Sequence, residues 1–247
     1  MLDYLEGLNE CRSVETVWTH HLAAMEEFGF QRVFYGFTRA RNGASFGDRE
    51  DIMLLSNHSE EYMRGFIDEG LYDDAPMVKW AVDNVGPASW GAIIGDLHAL
   101  SDSERKVIEF NIAHQVTAGY SISFNDISWR AKGAVGLVSS PAMTQQETDE
   151  MWAVHGRDIV QMNNVAHLKL ASLPFSSRKR NLTKRQREVL EWVADGKTIQ
   201  DIATIMGLTG ATVEKHLRLA REALDAETTA QAVLKASFHN QMFIIAS

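Results

Sequence analysis

Apolar and polar positions follow two different periods along the chain, and the changes of period divide it into elements. Val17, Leu22 and Met25 recur near helical spacing, which predicts a helix in this region. A run rich in aromatic and β-branched residues at 30–37 is typical of a strand. Applied to the first 171 residues, these criteria predict helices at 2–9, 13–28, 60–69, 76–83, 101–114 and 144–171, and strands at 30–37, 52–55, 119–125 and 134–139.

Two of the predicted helices carry a start signal. Ser101 with Glu104, and Thr144 with Glu147, have capping-box spacing, in which each side chain satisfies a backbone N–H of the other residue. The short strands lie between helical stretches, and this order favours an antiparallel sheet faced by helices. We therefore predict an α+β fold in which residues 1–171 form an α/β/α sandwich.

A change of composition separates this sandwich from a second unit. Residues 172–181 contain a proline, serines and a basic cluster without apolar periodicity, which is typical of a linker. In 182–247, Thr183, Thr198, Thr209 and Thr228 each precede a helical stretch and suit its N-cap position. Four helices with a glycine-bearing turn in the middle form the pattern of a helix-turn-helix domain.

Charge is distributed unevenly between the two units. The 247 residues carry 24 Lys and Arg against 33 Asp and Glu, a net charge of −9. Residues 176–247 hold 11 of the basic and 8 of the acidic side chains, which leaves 13 and 25 for the rest. A small basic module joined to an acidic body indicates separate tasks for the two parts.

The chain lacks the sequence signals of several classes of protein. The single cysteine, Cys11, excludes a disulfide framework. No run of about 18 apolar residues predicts a membrane helix, and the acidic N-terminus lacks the layout of a signal peptide, so we expect a cytoplasmic protein. His20 and His21 are neighbours rather than a metal-binding pair. We expect no metal, no cofactor and no enzymatic activity; a signal-modifying enzyme with a DNA-binding tail is the less favoured alternative.

The helical unit carries the most specific pattern. It reads Leu182-Thr183-Lys184-Arg185-Gln186-Arg187-Glu188-Val189-Leu190, then Gly196-Lys197-Thr198, Ile202-Ala203 and Thr212-Val213-Glu214-Lys215-His216-Leu217. These blocks resemble the DNA-binding domain of the LuxR family over residues 181–235. The resemblance implies a transcription regulator that binds double-stranded DNA through its third helix.

The spacing of that third helix indicates which side chains reach DNA. If Val213 and Leu217 face the core, the polar side chains between and after them lie on the outer face. Arg218 then suits guanine and Glu214 suits cytosine, while residues at helix starts and flanks suit phosphates. The predicted DNA-contacting residues are Lys197, Thr198, Thr212, Glu214, Lys215, Arg218 and Arg221.

The N-terminal unit resembles the autoinducer-binding domain of the same family. The similarity covers about residues 5–165 and is carried by the stretches 56–66, 71–77 and 87–90. In that family, acyl-homoserine lactones lie between the sheet and the helices, held by a tryptophan, a tyrosine and an aspartate. The resemblance implies ligand contacts at His58, Tyr62, Phe66, Ala75, Met77, Trp90 and Ser139.

This chain departs from the family pattern inside the implied pocket. Tyr62 and Phe66 stand at aromatic positions where a tryptophan and a tyrosine are usual, and Ala75 replaces the aspartate that accepts the amide N–H. An amide N–H buried without its acceptor costs about 1–3 kcal/mol. Three interpretations stay open: a different apolar or aromatic signal, a lactone held by another acceptor such as Ser139 or Tyr62, or a collapsed pocket with ligand-independent regulation.

A homodimer is also expected, because one helix-turn-helix module reads only a half-site of a pseudo-palindrome. Two surfaces are candidates for the dimer contact: the apolar face of the long helix at 144–171, and the last helix with its apolar end at 242–245. That end suits equally well a place against the core of its own unit.

Overall fold

A computed structural model describes residues 1–41, 46–47, 49–95, 97–175 and 181–243 of the chain. Its backbone separates into two compact units, Met1–Ala171 and Ser172–Ser247. Residues 176–180 of the predicted linker and 244–247 of the predicted apolar end lie outside the described residues. No helix in the part that the structure describes is both long and apolar enough to cross a membrane.

The first unit has seven α-helices and five strands among its described residues. The helices are α1 Leu2–Glu10, α2 Val14–Glu26, α3 Glu60–Met63, α4 Pro76–Asp83, α5 Trp90–Ile94, α6 Asp102–Ala113 and α7 Gln145–Ser172. The strands are β1 Phe30–Thr38, β2 Met53–Ser56, β3 Gly86–Ser89, β4 Gly119–Ser123 and β5 Lys132–Ser139. The predicted helix at 60–69 is α3 followed by a π-helical turn, Arg64–Asp68.

The strands form one antiparallel sheet in the order β2-β1-β5-β4-β3. The sequence did not predict β3, whose Pro87 weakens a strand pattern. The structure explains its presence, because β3 is an edge strand and proline is tolerated at sheet edges, where its missing N–H need not join a ladder.

The side chains of β1 show that the sheet has helices on both faces. Phe34 points toward α3 and the π-turn, where its ring lies 5.6 Å from that of Phe66. Its neighbour Tyr35 points the other way and hydrogen-bonds His167 of α7 at 2.9 Å. Alternation of this kind is the normal consequence of strand geometry. The predicted α/β/α sandwich is thereby confirmed.

The face of the sheet covered by α7 also holds a buried polar network. His21 of α2 is bonded through Nδ1 to the Tyr4 hydroxyl and through Nε2 to Asn163 Oδ1, at 2.8 and 3.0 Å. Burial lowers the pKa of His21 to about 4, so the imidazole is neutral in the folded protein. The network joins α1, α2 and α7 through a histidine that must stay uncharged.

The second unit consists of four helices, α8 Lys184–Ala194, α9 Ile199–Met206, α10 Gly210–Ala223 and α11 Thr229–Phe238. Each begins after a threonine whose side-chain oxygen accepts a backbone N–H of the first turn, so the four predicted N-caps are present. Gly207 ends α9 in the left-handed region, with φ 64°, which glycine adopts without a steric penalty. The core is built from the inner faces of the helices, with Val189, Leu190, Ile202, Val213 and Leu224 fully buried.

Candidate ligand pocket and nucleic-acid interface

A pocket lies between the sheet and the helices α3 to α6 of the first unit. It encloses about 100 Å³, several times the roughly 10–15 Å³ that one water molecule needs. Its walls are almost entirely apolar or aromatic, and no carboxylate, ammonium or guanidinium group is among its described lining residues. They include Phe34, Leu54, His58, Tyr62, Phe66, Tyr72, Ala75, Met77, Val78, Trp90, Asn111, Val116, Ser121 and Val138.

One wall is a stack of three rings along α3 and the π-turn. The rings of His58 and Tyr62 lie 4.4 Å apart, and those of Tyr62 and Phe66 lie 5.3 Å apart, both nearly parallel. Tyr62 and Phe66 are four residues apart on α3 and the π-turn, which places them on one side of this helical stretch, whereas His58 precedes the N-cap Ser59. Ser59 fixes the start of α3, because its hydroxyl oxygen accepts the Tyr62 backbone N–H.

The polar groups of Tyr62 and Trp90 are already paired with other pocket residues. The Tyr62 hydroxyl donates to Asn111 Oδ1 at 3.0 Å, and Trp90 Nε1 donates to Ser121 Oγ at 3.0 Å. Burial raises the pKa of the Tyr62 phenol well above its usual value, so this hydroxyl keeps its proton. Both pairs are neutral and largely shielded from water.

Ala75 lies in the pocket wall and is 1% exposed. It is the N-cap residue of α4, and Pro76 at the next position suits the first helical turn. The neighbouring carboxylate of Asp74 does not replace the missing acceptor, because it pairs with Lys79 at 3.3 Å on an exposed surface. The structure therefore leaves this part of the pocket without a carboxylate.

His58 is a neutral side chain of the pocket wall. Burial, with a smaller effect from the positive charge of Arg32, lowers the pKa of its imidazole to about 4. Its Nδ1 is hydrogen-bonded with Ser56 Oγ at 2.9 Å. Nε2 is buried and has no hydrogen-bond partner in the described part of the chain.

The structure brings six of the seven predicted ligand residues together and separates the seventh. Ser139 follows Val138 on β5 and therefore points to the opposite face of the sheet. There its hydroxyl is hydrogen-bonded with that of Thr148 on α7 at 2.8 Å. Ser139 is therefore not among the described residues that line this pocket, and the geometry does not support the ligand contact that the resemblance implied.

Sequence reasoning also missed polar residues that do line the pocket. Ser121 on β4 and Asn111 on α6 are 4% and 3% exposed, and they hold the Trp90 and Tyr62 side chains. The sequence could have pointed to both residues. Each is a polar residue at a position where the apolar periodicity of its strand or helix predicts a buried side chain. Neither lies near the recognisable pocket motifs along the chain.

In the second unit, α10 presents a charged outer face. Val213 and Leu217 are buried in the core, while Glu214, Lys215 and Arg218 are exposed. These three side chains border a shallow concave surface that also includes Arg221 and Thr229. The division of α10 into an apolar and a charged face is the one that its spacing predicted.

Most of the predicted DNA residues have partners within the second unit. Arg221 donates to Thr229 Oγ1 at 2.9 Å. The Thr198 hydroxyl donates to Asp201 at 2.7 Å as part of a capping box, and the hydroxyl of Thr212 is hydrogen-bonded with that of Thr209. Lys197 precedes α9 and is exposed. Arg218 forms an exposed ion pair with Glu222, one turn away on α10.

Comparison with known families identifies both units. The model described as "Autoinducer binding domain" matches residues 13–170, and that described as "Bacterial regulatory proteins, luxR family" matches residues 180–236. The chain belongs to the LuxR family of transcription regulators, with an autoinducer-binding domain followed by a LuxR-type helix-turn-helix domain. The resemblance inferred from the sequence is confirmed.

Individual relatives are distant but span most of the chain. The transcriptional activator AnoR of Acinetobacter nosocomialis is 23% identical over 214 residues, which are 85% of each chain. BjaR1 of Bradyrhizobium diazoefficiens is 25% identical and covers 96% of this chain and 94% of its own length. LuxR of Aliivibrio fischeri is 23% identical, with 76% and 74% covered. These relatives are transcriptional activators rather than enzymes, in agreement with the expected lack of enzymatic activity.

Solved structures show the same fold. SdiA in complex with octanoyl-rac-glycerol gives a TM-score of 0.54 at 16% identity and covers 96% of this chain and 93% of that one. CepR2 of Burkholderia cenocepacia, an N-acylhomoserine-lactone-dependent LuxR family factor, gives 0.54 at 20% identity, with 68% and 92% covered. At these identities the likeness supports the fold alone.

Proposed function

We propose that the chain is a signal-responsive transcription regulator of altered ligand preference. Residues 1–171 act as the sensor domain, 172–181 as the linker and 182–247 as the DNA-binding domain. We place the protein in the cytoplasm, where its DNA is, and assign it no cofactor. The ligand is a small apolar signal that occupies the pocket between the sheet and α3 to α6.

The observation that carries this proposal is the uncharged pocket with Ala75 in its wall. Ligand sites are mostly apolar concavities with a few placed polar groups, and this pocket has that composition. We assign ligand contacts to His58, Tyr62, Phe66, Ala75, Met77 and Trp90. Since no carboxylate lines the described pocket, an ordinary acyl-homoserine lactone loses the acceptor that the family offers to its amide N–H.

The charged face of α10 supports DNA binding through the major groove. Arg218 is placed to contact guanine and Glu214 to accept from cytosine, once Arg218 releases Glu222. We assign Lys197, Thr198, Thr212, Lys215 and Arg221 to phosphates and flanking contacts. The capping hydrogen bonds of Thr198 and Thr212 hold the starts of α9 and α10, whose backbone N–H groups favour phosphate oxygens.

We further propose that the regulator binds DNA as a homodimer. Val154 and Leu168 on α7 are 73% and 68% exposed. They lie two heptads apart, so both fall on the same side of the helix. Exposed apolar side chains on one side of a long helix are suited to contact with a second copy. Sedimentation of the purified chain with and without operator DNA tests this assignment.

The test of signal binding is thermal unfolding of the full chain with a panel of neutral apolar compounds. The panel contains N-octanoyl-homoserine lactone, N-benzoyl-homoserine lactone and 1-octanoylglycerol. A ligand present at about 100 times its dissociation constant adds roughly 2.7 kcal/mol to the free energy of unfolding, which raises the unfolding temperature by several degrees. A chain that no compound stabilises contradicts the proposal.

One observation favours a second candidate, a ligand-independent regulator. Tyr62 and Trp90 already donate hydrogen bonds to Asn111 and Ser121 inside the pocket, so these polar groups need no ligand to satisfy them. In that case DNA affinity is the same with and without every compound of the panel. A compound that both raises the unfolding temperature and alters DNA affinity excludes this candidate.

A further inference from the structure

One of the cations on the outer face of α10 is held by a carboxylate of the same helix. Arg218 Nη1 donates to Glu222 Oε1, one turn further along α10. The other two cations of this face differ, because Lys215 forms no ion pair in the part of the chain that the structure describes and Arg221 donates to the hydroxyl of Thr229. The carboxylate is therefore paired with the side chain that we propose to read guanine.

The stability of α10 does not explain this pair. Glu222 is the penultimate residue of α10, Gly210–Ala223, where the negative end of the helix dipole disfavours a carboxylate. A pair four residues apart is also less favourable when the basic residue comes first, as Arg218 does here. The two side chains are 54% and 57% exposed, and exposed ion pairs contribute little to the stability of a fold. An acidic residue at this position needs another explanation.

The pair engages the group that DNA would use. A guanidinium reads guanine by donating to both O6 and N7, and it also donates readily to the phosphate oxygens of any sequence. While Nη1 is bonded to Glu222, the carboxylate neutralises the charge of Arg218 and repels nearby phosphates. Guanine replaces this ion pair with two hydrogen bonds at once, whereas a groove without guanine at that position offers no such pair of acceptors.

We propose that Glu222 is a specificity-determining residue that competes with DNA for Arg218. The carboxylate keeps the guanidinium from the phosphates of DNA of unrelated sequence, and it releases the guanidinium when a guanine occupies the position that Arg218 reads. The inference rests on the proposed contact between Arg218 and guanine. It adds to that contact an acidic residue whose effect is to lower the affinity for DNA of the wrong sequence.

The test compares the full wild-type chain with Glu222→Gln, which keeps the shape of the side chain and removes its charge. Glu188→Gln is the matched control, because Glu188 on α8 pairs with Arg185 at 2.8 Å and lies outside the predicted DNA-contacting residues. Fluorescence anisotropy measures the binding of each protein to a duplex of unrelated sequence at several salt concentrations.

We expect Glu222→Gln to tighten binding to the unrelated duplex about two- to fivefold. The slope of log affinity against log salt should become steeper by about 0.9, because the released Arg218 gains one phosphate contact. Glu188→Gln removes the same charge from the same unit, so it shows how much of the change comes from net charge alone. We expect it to leave both the affinity and the slope close to those of the wild type.

A second comparison determines whether Glu222 acts through Arg218. Glu222→Gln is introduced into Arg218→Ala, and the affinity for the same duplex is measured again. An effect that runs through Arg218 disappears in this background, because the two substitutions are then not additive. A general repulsion between Glu222 and DNA persists instead.

Thermal unfolding of the DNA-free proteins separates competition from a structural role. The helix dipole disfavours Glu222 where it stands, so Glu222→Gln should unfold at a temperature equal to or above that of the wild type. A lower unfolding temperature would mean that the pair serves to stabilise α10, and it would overturn the inference.

The remaining outcomes distinguish this inference from the function on which it rests. If Glu222→Gln tightens binding no more than Glu188→Gln does, or tightens it equally in the Arg218→Ala background, then Glu222 does not compete for Arg218, and DNA binding itself stays intact. If the wild-type chain binds no duplex at any salt concentration, the proposed function fails and the role of Glu222 fails with it.

Discussion

The two units of this chain use polar side chains in opposite ways. On α10 the charged residues Glu214, Lys215 and Arg218 are exposed, so water solvates them in the absence of DNA. In the pocket the polar groups are neutral, and two pairs of them bond each other, Tyr62 with Asn111 and Trp90 with Ser121. The difference shows that the outer face of α10 suits a highly charged partner, whereas the pocket suits an uncharged one.

The largest effect is expected from breaking the core of the helical unit. Leu190 is fully buried on α8, and Leu190→Ala should lower the free energy of unfolding by about 2–5 kcal/mol, with loss of DNA binding. Leu234→Ala is the control, because Leu234 on α11 is 45% exposed and should change stability by no more than about 0.5 kcal/mol. Denaturant unfolding measures both; equal losses would contradict the assigned core.

Specific DNA recognition should respond strongly to one exposed side chain. Arg218→Ala is expected to weaken binding to a cognate site by about 1–3 kcal/mol. Arg185→Ala is a close control, since Arg185 on α8 is also exposed and also paired within its helix, to Glu188 at 2.8 Å. Gel-shift titrations that give the two variants the same affinity would remove Arg218 from base recognition.

The sensor unit should lose stability in mild acid. His21 is held neutral with a pKa of about 4, whereas an unfolded histidine titrates near 6.5. Between these two pH values the unfolded chain binds the proton more tightly than the folded chain does. The free energy of unfolding is therefore highest above about pH 6.5, and it should fall by about 2 kcal/mol from pH 7 to pH 5.

The glutamine variant His21→Gln tests that assignment. Glutamine keeps hydrogen-bonding groups without titrating in this range, so its stability should depend less on pH than that of the wild type. Denaturant unfolding at pH 7 and pH 5 gives the change in the free energy of unfolding for both proteins. If this change is the same in His21→Gln as in the wild type, other groups cause the sensitivity to acid.

A single substitution can introduce a carboxylate into the pocket. Ala75→Asp restores an acceptor for an amide N–H, and it should raise affinity for N-octanoyl-homoserine lactone about tenfold, or ~1.4 kcal/mol. The ligand-free variant should be less stable, because a carboxylate is buried without a partner. The ester analogue, with oxygen in place of N–H, is the control ligand; an equal gain for both would contradict the mechanism.

The smallest expected effect concerns a phosphate contact. Lys197→Ala should weaken binding to all DNA sequences to a similar extent and reduce the slope of log affinity against log salt by about 1. Titrations at several salt concentrations on cognate and unrelated DNA measure it. A loss confined to the cognate sequence would mean that Lys197 reads bases.

The helical unit was more predictable from sequence than the pocket, for a physical reason. The N-cap threonines and the two faces of α10 follow from neighbours within four residues of each other, and local spacing is visible in the sequence. The pocket brings together His58, Asn111 and Ser121, which are distant along the chain. Their meeting depends on how strands pair and which face each residue takes.

The position of Ser139 illustrates this limit. A shift of one residue along a strand moves a side chain to the other face of the sheet. The structure places Val138 in the pocket and bonds Ser139 to Thr148 on the opposite side. The family resemblance indicated which part of the chain forms the pocket. Only the register of β5 determined that Val138, and not Ser139, faces it.

The central claim is that a neutral ligand in the pocket controls DNA binding. The most direct test measures the affinity of the full chain for its operator with and without the panel compound that most raises the unfolding temperature. The account predicts a change of about 5- to 150-fold, the usual size of coupling between two sites. An operator affinity that stays the same when the compound saturates the pocket would contradict it.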